Sequence, residues 1–339
     1  MNKIIIDAFG GDHSPEEIII GSIDALQEIN DCKLVFVGKQ EKIEEILSTL
    51  TFNKDQVEIV DAKDVITCEE EPVISIRRKP DSSICVALKV LKEDPDAKIF
   101  VSAGSTGAVL AGSTLKIGRI AGINRPALCP AMPTAIDGKS VYLMDAGANA
   151  DCKPINLCQF ALMGSVYAKV MGVENPKVAL LSNGTEDEKG NALNHEVFPI
   201  LKEMKDINFV GNIEARDILS GEYDVVVTDG FSGNIAVKSI EGTAKMIMKM
   251  LKGALHSSFK AKIGGLLVKS SIYQLKDKMD YNKQGGAFFI GLKKPVLKMH
   301  GSSKRDAVKA SILLASKYTR FDIVGEIEKN LANTSISEG

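Results

Sequence analysis

Short apolar runs, each followed by a loop and then by a helical pattern, recur along this chain. The runs lie at residues 3–6, 34–37, 99–101, 141–144, 178–181 and 225–227. They are continuous rather than alternating, which is typical of parallel strands covered on both faces. Helical spacing of apolar residues separates them, as over residues 84–91. The pattern predicts a three-layer α/β/α sandwich with a mostly parallel sheet, forming one domain over residues 1–339.

Composition and charge exclude several classes of protein. The 339 residues are 45% apolar and 25% charged, which excludes a disordered chain and a coiled coil. The net charge of −2 gives no reason to expect a nucleic-acid partner. The longest uncharged apolar stretch, residues 99–115, is rich in Gly, Ser and Thr and makes a poor membrane span.

The N-terminus and the cysteines predict a cytoplasmic protein. The first residues contain acidic groups and lack the apolar core of a signal peptide. Six cysteines without a CxxC pair favour a reducing compartment. Further along, Ser14, Pro15 and Glu17 have the pattern of a helix N-cap, a proline at the first helical position and a capping-box glutamate.

Loops that contain glycine follow five of the predicted strands, at residues 7–12, 102–108, 145–149, 182–185 and 229–234. In a parallel α/β sheet the carboxyl ends of the strands line the ligand crevice. Glycine lets backbone N–H groups approach an anion, and a following helix N-terminus favours negative charge. One such loop is usually only a turn. Five of them together predict a site for phosphate or another oxyanion.

The motifs limit the chemistry of that site. There is no Walker A sequence and no G-x-G-x-x-G, so nucleotide binding is not indicated. The four histidines are scattered along the chain, so we expect neither a metal nor another cofactor. We expect phosphate to be a substrate, with an oxyanion stabilised by Asn or N–H donors and no covalent enzyme intermediate.

The same loops resemble those of the phosphate acyltransferases PlsX of bacterial phospholipid synthesis. The run at residues 148–154 is the most specific match. Two departures are Ser105, where the family often has Asn, and Phe9, where Met is common. The matching segments follow the family's order at residues 7–15, 101–108, 145–154, 183–186, 189–191, 211–217, 229–234, 285–287 and 300–303.

The resemblance implies that acyl-[acyl carrier protein] and phosphate give acyl phosphate and the free carrier. A membrane glycerol-3-phosphate acyltransferase then uses the product. It also implies a fold similar to phosphotransacetylase and isocitrate dehydrogenase, a homodimer, and peripheral association with the inner face of the membrane. Three alternatives are a phosphotransacetylase that uses acyl-CoA, a dehydrogenase of the isocitrate type, and a non-catalytic scaffold at a lipid surface.

The resemblance also selects candidate residues. We expect Lys189 to neutralise phosphate charge and Asn234 to donate to the acyl oxyanion. Asn149, Asp12 and His13 are further catalytic candidates, the last two as orienting groups or proton acceptors. The predicted phosphate-binding or substrate-binding residues are Gly10, Gly11, Gly104, Ser105, Thr106, Gly107, Asp151, Lys153, Asn183 and Gly233.

A basic segment, residues 245–283, stands out from the near-neutral chain. It has nine lysines and two aspartates, a net charge of +7, so the rest of the chain carries −9. Apolar residues at helical spacing, with a break at Gly264 and Gly265, predict a protruding amphipathic helical hairpin over residues 240–283.

Three roles for this hairpin remain open: contact with an anionic membrane, guidance of an acidic carrier protein, and a dimer interface. The predicted membrane or carrier contacts are Phe259, Lys260, Lys262, Ile263, Leu266, Leu267 and Lys269.

Overall fold

The computed structural model describes residues 1–279 and 285–333, and its strands in that part of the chain form one eleven-stranded sheet. The strands are β1 (Asn2–Asp7), β2 (Cys32–Gly38), β3 (Val57–Asp61), β4 (Ala97–Ser102), β5 (Ala127–Pro133), β6 (Ser140–Met144), β7 (Lys177–Ser182), β8 (Asn208–Glu214), β9 (Val225–Val227), β10 (Ala287–Ile290) and β11 (Val296–Lys298). Their order across the sheet is β3-β2-β1-β4-β11-β10-β5-β6-β9-β7-β8.

Helices cover both faces of this sheet. One face carries α1 (Glu16–Ala25), α2 (Gln40–Leu47), α6 (Pro154–Val170), α7 (Ala192–Glu203), α11 (Arg305–Tyr318) and α12 (Ile323–Asn333). The other carries α3 (Pro72–Arg78), α4 (Ser83–Glu93), α5 (Thr106–Lys116) and α8 (Gly230–His256). Side chains of β1 alternate between the layers: Ile4 and Ile6 pack in one core and Ile5 in the other. The predicted three-layer fold is confirmed.

The sheet consists of two parallel halves that run in opposite directions. Strands β1, β2, β3, β4 and β11 are parallel in one half, and β6, β7, β8 and β9 are parallel in the other. Antiparallel pairing of β10 with β11, of β10 with β5 and of β5 with β6 reverses the direction between them.

The pairing register fixes where the first half ends. Ser102, the last residue of β4, pairs with Lys298 of β11. Lys298 pairs with Ala287 of β10, and Ala287 pairs with Pro130 of β5. The carboxyl edge of the first half therefore lies level with Pro130.

The second half ends at the same level. Ala131 of β5 pairs with Tyr142 of β6. Continuing this antiparallel register places Met144, the last residue of β6, beside Cys129. Because the two halves point toward each other and are offset along β5, both carboxyl edges meet there, and the loops of both halves converge on one place.

The basic segment begins in the C-terminal part of α8, a helix of 27 residues, and contains α9 (Phe259–Leu267) and α10 (Lys269–Met279). The predicted break at Gly264 and Gly265 is wrong, because α9 runs through both glycines. A Cβ on Gly265 would lie 3.4 Å from Leu255 Cβ, an ordinary van der Waals contact, so α9 packs on α8 at this position. Residues 280–283 of the predicted hairpin lie outside the described residues.

In the part of the chain that the structure describes, no helix is both long and apolar enough to cross a bilayer.

Gly233, in the first turn of α8, lets that helix lie against the loop after β6. A Cβ at this position would overlap the carbonyl oxygen of Asp145. We expect Gly233→Ala to lower the free energy of unfolding by about 2 kcal/mol, because such overpacking forces backbone shifts. Urea denaturation measures the change.

Gly242 is the matched control in the same helix, because a Cβ there would meet no atom within 4 Å. Gly242→Ala should raise the free energy of unfolding by about 0.5–1 kcal/mol through helix propensity. Equal effects of the two substitutions would contradict the close packing of α8 on this loop.

Candidate active site

A cavity of about 260 Å³ lies where the two carboxyl edges meet. Strands β5, β10 and β11, the first turn of α5, the loop after β6 and helix α8 all contribute to its wall. The residues that bear on its chemistry are Thr106, Gly147, Asn234, Lys238, Glu241, Lys298, His300 and Gly301.

Asp7 ties together two loops of the first half. Its carboxylate is fully buried and accepts hydrogen bonds from Ser102 Oγ at 2.7 Å and from the backbone N–H of Phe9 at 3.3 Å. Ser102 Oγ accepts in turn from the N–H of Gly104 at 3.0 Å. A side chain on Gly10 would overlap Asp7 Oδ2, so only glycine fits there. Burial raises the pKa of Asp7, and hydrogen bonds from hydroxyl groups oppose this shift.

Asp145 has the corresponding role in the second half. One carboxylate oxygen accepts from the N–H groups of Leu128, Gly147 and Ala148 at 2.9–3.1 Å. The other accepts from the backbone N–H and side-chain amide of Asn149 at 2.7 and 2.8 Å. Burial raises the pKa of Asp145, and these donors act in the opposite direction. The carboxylate thereby fixes the loop that forms one wall of the cavity.

Lys298 places a cation in the cavity wall. The residue is only 7% exposed, and its Nζ donates to the carbonyl oxygen of Met299. Burial lowers its pKa to about 8, while the charges of Asp7 and Asp12 oppose that shift. Among the described residues, no carboxylate forms an ion pair with it. A buried cation without such a partner is suited to an anionic ligand.

The N-terminus of α5 adds backbone donors. Thr106, its first residue, lines the cavity, and Gly107 follows it. Within the described chain, Ser105 at the N-cap accepts no hydrogen bond from the helix through its side chain. The first-turn N–H groups are therefore oriented toward the cavity end of the helix, where they and the helix dipole favour an anion.

Of the residues predicted in the first half, Thr106 lines this cavity, and the others lie in the loops next to it. Gly10, Gly104, Ser105 and Gly107 belong to the two loops that Asp7 holds together or to the start of α5. The N–H of Asp12 donates to the carbonyl of Gly301 at 2.8 Å, and His13 is half-buried in the same loop. Gly11 has φ +97°, a conformation that glycine adopts readily.

The predicted helix cap at Ser14 is wrong. Helix α1 begins at Glu16 with Pro15 at its N-cap. Ser14 Oγ instead donates to the carbonyl oxygen of Gly11 at 2.8 Å, which closes the loop beside the cavity.

In the second half, Asn234 lines the cavity, whereas the amide of Asn149 is occupied by Asp145 and a backbone carbonyl. Gly233 packs against Asp145, as described above. Asp151 and Lys153 are exposed at the start of α6, where the N–H of Lys153 donates to the side chain of Asn156 at 2.8 Å.

Lys189 and Asn183 lie away from the cavity lining. Asn183 lines a separate groove of about 880 Å³ between the loops after β7 and β8 and helix α8. Lys189 is exposed in the adjacent loop, where its side chain crosses Gly184. On α8 the cavity residues Asn234 and Lys238 and the groove residues, such as Ser239, occupy opposite faces. The catalytic role of Lys189 stays a prediction.

Sequence reasoning missed three groups at this site: Asp7, Asp145 and Lys298. Each is a charged residue at the end of an apolar run, after residues 4–6, 141–144 and 296–297. A charge in that position, where the strand is buried on both sides, is the signal that could have found them.

Solved structures of other proteins show which fold class the chain has. A phosphotransacetylase from Streptococcus pyogenes superposes with a TM-score of 0.62 at 18% identity, covering 94% of each chain. The EutD phosphotransacetylase from Staphylococcus aureus gives a TM-score of 0.61 at 16% identity, again over 94% of each chain. At these identities the likeness shows the fold, which is that of the phosphotransacetylases.

The sequence comparisons are more specific. A family model described as "Fatty acid synthesis protein" matches residues 2–324. A phosphate acyltransferase from Bacillus cereus (strain B4264) is 46% identical over 335 residues, 98% of this chain and 99% of that protein. One from Bacillus thuringiensis (strain Al Hakam) is 46% identical over 337 residues, 99% of each. The chain belongs to the phosphate acyltransferase family, whose members are enzymes of acyl transfer to phosphate. The predicted resemblance and enzyme class are confirmed.

The buried charge of Lys298 should cost stability. We expect Lys298→Met to raise the free energy of unfolding at pH 7 by about 2 kcal/mol. The pKa is about 8 in the folded protein against an ordinary value of 10.5, so the folded state loses the proton first. The unfolded chain binds more protons between pH 8 and 10.5, and the stability of the wild type rises there. The advantage of Met should shrink over that range.

Urea denaturation at pH 7 and at pH 9.5 measures this difference. Lys293→Met, at an exposed lysine of the neighbouring turn, is the control and should change stability by less than about 0.5 kcal/mol. A Lys298→Met variant that is less stable than the wild type at pH 7 would contradict this prediction. It would show that interactions within the protein offset the cost of burying the Lys298 charge.

Proposed function

We propose that this enzyme transfers the acyl group of an acyl-[acyl carrier protein] thioester to inorganic phosphate, releasing acyl phosphate and the free carrier. The observation that carries the proposal is the cavity, because in about 260 Å³ it combines a helix N-terminus, an asparagine amide and a buried lysine that has no ion-pair partner among the described residues. Its size suits a phosphate ion and one reacting carbonyl, so the rest of a large substrate would remain outside.

In the proposed reaction, the first-turn N–H groups of α5 and the ammonium group of Lys298 hold phosphate. With a pKa of about 8, Lys298 is mostly protonated at neutral pH and balances part of the charge. A phosphate oxygen attacks the thioester carbonyl carbon, and the side-chain amide of Asn234 donates to the developing oxyanion. Collapse of the intermediate breaks the C–S bond, and the thiolate leaves with the carrier.

The other predicted residues have supporting roles in this proposal. Asn149 positions the loop through Asp145 rather than touching substrate. Asp12 and His13 orient the phosphate from the loop that contacts Gly301. Lys189, outside the cavity lining, neutralises charge on a substrate that approaches across the loop after β7.

Release of free thiol from an acyl-carrier thioester tests the proposed function. The rate should depend on phosphate and saturate with it. Asn234→Ala should lower kcat about 10²-fold to 10³-fold, because it removes one oxyanion donor. Lys189→Ala should lower the activity by a smaller factor. Ser239→Ala is the control and should retain the wild-type rate, since Ser239 lies on the opposite face of α8.

Three results would overturn the proposed function. Thiol release that does not depend on phosphate would exclude acyl transfer to phosphate in this cavity. A higher kcat/KM for acyl-CoA than for the acyl carrier would make the enzyme a phosphotransacetylase. Liposome binding without turnover would support the non-catalytic scaffold.

We further propose that acyl phosphate passes to a membrane glycerol-3-phosphate acyltransferase in phospholipid synthesis, and that the enzyme acts as a homodimer at the inner membrane surface. Helix α9 supports the membrane contact. Phe259, Leu266 and Leu267 are 79%, 72% and 82% exposed, and Ile263 is 46% exposed. The neighbouring lysines are Lys260, Lys262 and Lys269. Exposed apolar side chains bordered by lysines are typical of helices that lie on anionic membranes.

Co-sedimentation with vesicles that contain anionic lipid tests this contact. Combined Leu266→Glu and Leu267→Glu should abolish vesicle binding. The two apolar side chains that would insert into the membrane become negative charges, which the anionic lipid surface repels. Leu115→Glu on α5, where the leucine is 52% exposed, is the control and should leave binding unchanged. Unaltered binding of the double variant would assign the hairpin to another role.

A further inference from the structure

Helix α3 has an outward face that combines apolar and cationic groups. Its four residues are Val73, Ile74, Arg77 and Arg78. All four are exposed, the first two by 40% and 47%. At positions i, i+1, i+4 and i+5 they span about 140° of the helix circumference. Ser75 and Ile76, on the other side, are buried.

Neither arginine side chain has a partner within the described part of the chain. No hydrogen bond or ion pair involves either guanidinium group, whereas the adjacent Lys79 pairs with Glu70 at 2.8 Å. Arginine is enriched at protein–protein interfaces, and two arginines beside exposed apolar side chains favour a docking surface. The cationic groups indicate that the partner is acidic.

This face lies beside the cavity. A Cβ on Gly107 would lie 2.7 Å from Pro72, and one on Gly112 would lie 2.9 Å from Ile76. Helices α3 and α5 therefore run in the same direction, with their N-termini together at the cavity end. Arg77 is five residues from Pro72, about 7.5 Å along the axis.

We propose that the outward face of α3 is the docking surface for the acidic carrier protein that delivers the acyl thioester. This inference rests on the proposed function. Arginine forms bidentate hydrogen bonds with carboxylates, so the pair fits an acidic helix, and the two aliphatic side chains provide apolar contact. A cavity of about 260 Å³ can receive the thioester but not the carrier protein, so the docking surface belongs beside the cavity and not within it.

The hairpin lysines are placed less favourably for this task. The lysines that line the groove between α8 and α9 begin at Lys249. Lys249 is eight residues beyond Glu241, the cavity residue furthest along that helix, which places it about 12 Å from the cavity along the axis. The α3 face starts beside the first turn of α5.

Steady-state kinetics of an Arg77→Glu, Arg78→Glu double variant test the inference. The KM for acyl carrier should rise about tenfold, with kcat at saturating carrier and the KM for phosphate unchanged. Calorimetric titration with the carrier should show the same loss of affinity. Salt should weaken carrier binding to the wild type more than to the variant.

Lys89→Glu, Lys92→Glu on α4 is the matched control, because it makes the same change in charge at two other exposed cations of the same layer. It should leave the KM for carrier unchanged. Arg77→Gln, Arg78→Gln is a milder change that serves as the test if the double glutamate variant fails to fold. It should also raise the KM for carrier.

An unchanged KM for carrier in both arginine variants would overturn the docking surface, and so would an equal rise of this KM in the lysine control. If the arginine variants have a smaller mass in sedimentation than the wild type, the face is an interface between copies of this chain and not a docking surface for the carrier. A wild-type enzyme that uses acyl-CoA but not acyl carrier would instead refute the proposed function itself.

Discussion

The antiparallel pairing of β5 with β10 on one side and with β6 on the other is the constraint on which the site depends. It makes the two parallel halves of the sheet point toward each other, and the offset along β5 brings both carboxyl edges to the level of Pro130. Either half alone would present its loops to open solvent. Together they enclose a cavity with a helix N-terminus on one side and Asn234 on the other.

Buried charges hold this geometry in place. Asp7 and Asp145 each occupy the end of a strand in one half, and each collects hydrogen bonds from neighbouring loops. Their donors compensate the burial of the carboxylates. Lys298 lacks a comparable carboxylate partner in the described chain, and burial lowers its pKa to about 8. The structure thus keeps one buried charge poorly compensated where an anion would bind, which is a common arrangement at functional sites.

Six of the parallel strands, β1, β2, β4, β6, β7 and β9, could be predicted from sequence, because continuous apolar runs are local signals. The central strands could not. Strand β5 contains Pro130 and Pro133, which argue against a strand, and its partner β10 lies more than 150 residues away. Lys298 was missed because lysine at the end of a strand is usually exposed, and only the tertiary packing reveals its burial. Ser14 had a valid capping pattern, but α1 begins at Glu16, and the Ser14 hydroxyl donates to the carbonyl oxygen of Gly11 instead of accepting from the helix.

The central claim is that phosphate binds between the first turn of α5 and Lys298. A crystal structure of the enzyme grown with arsenate, recorded at the arsenic absorption edge, tests this most directly. We expect an anomalous peak in the cavity, within hydrogen-bonding distance of the α5 backbone N–H groups and of Lys298 Nζ. An ordered peak beside Lys189, with none in the cavity, would contradict it.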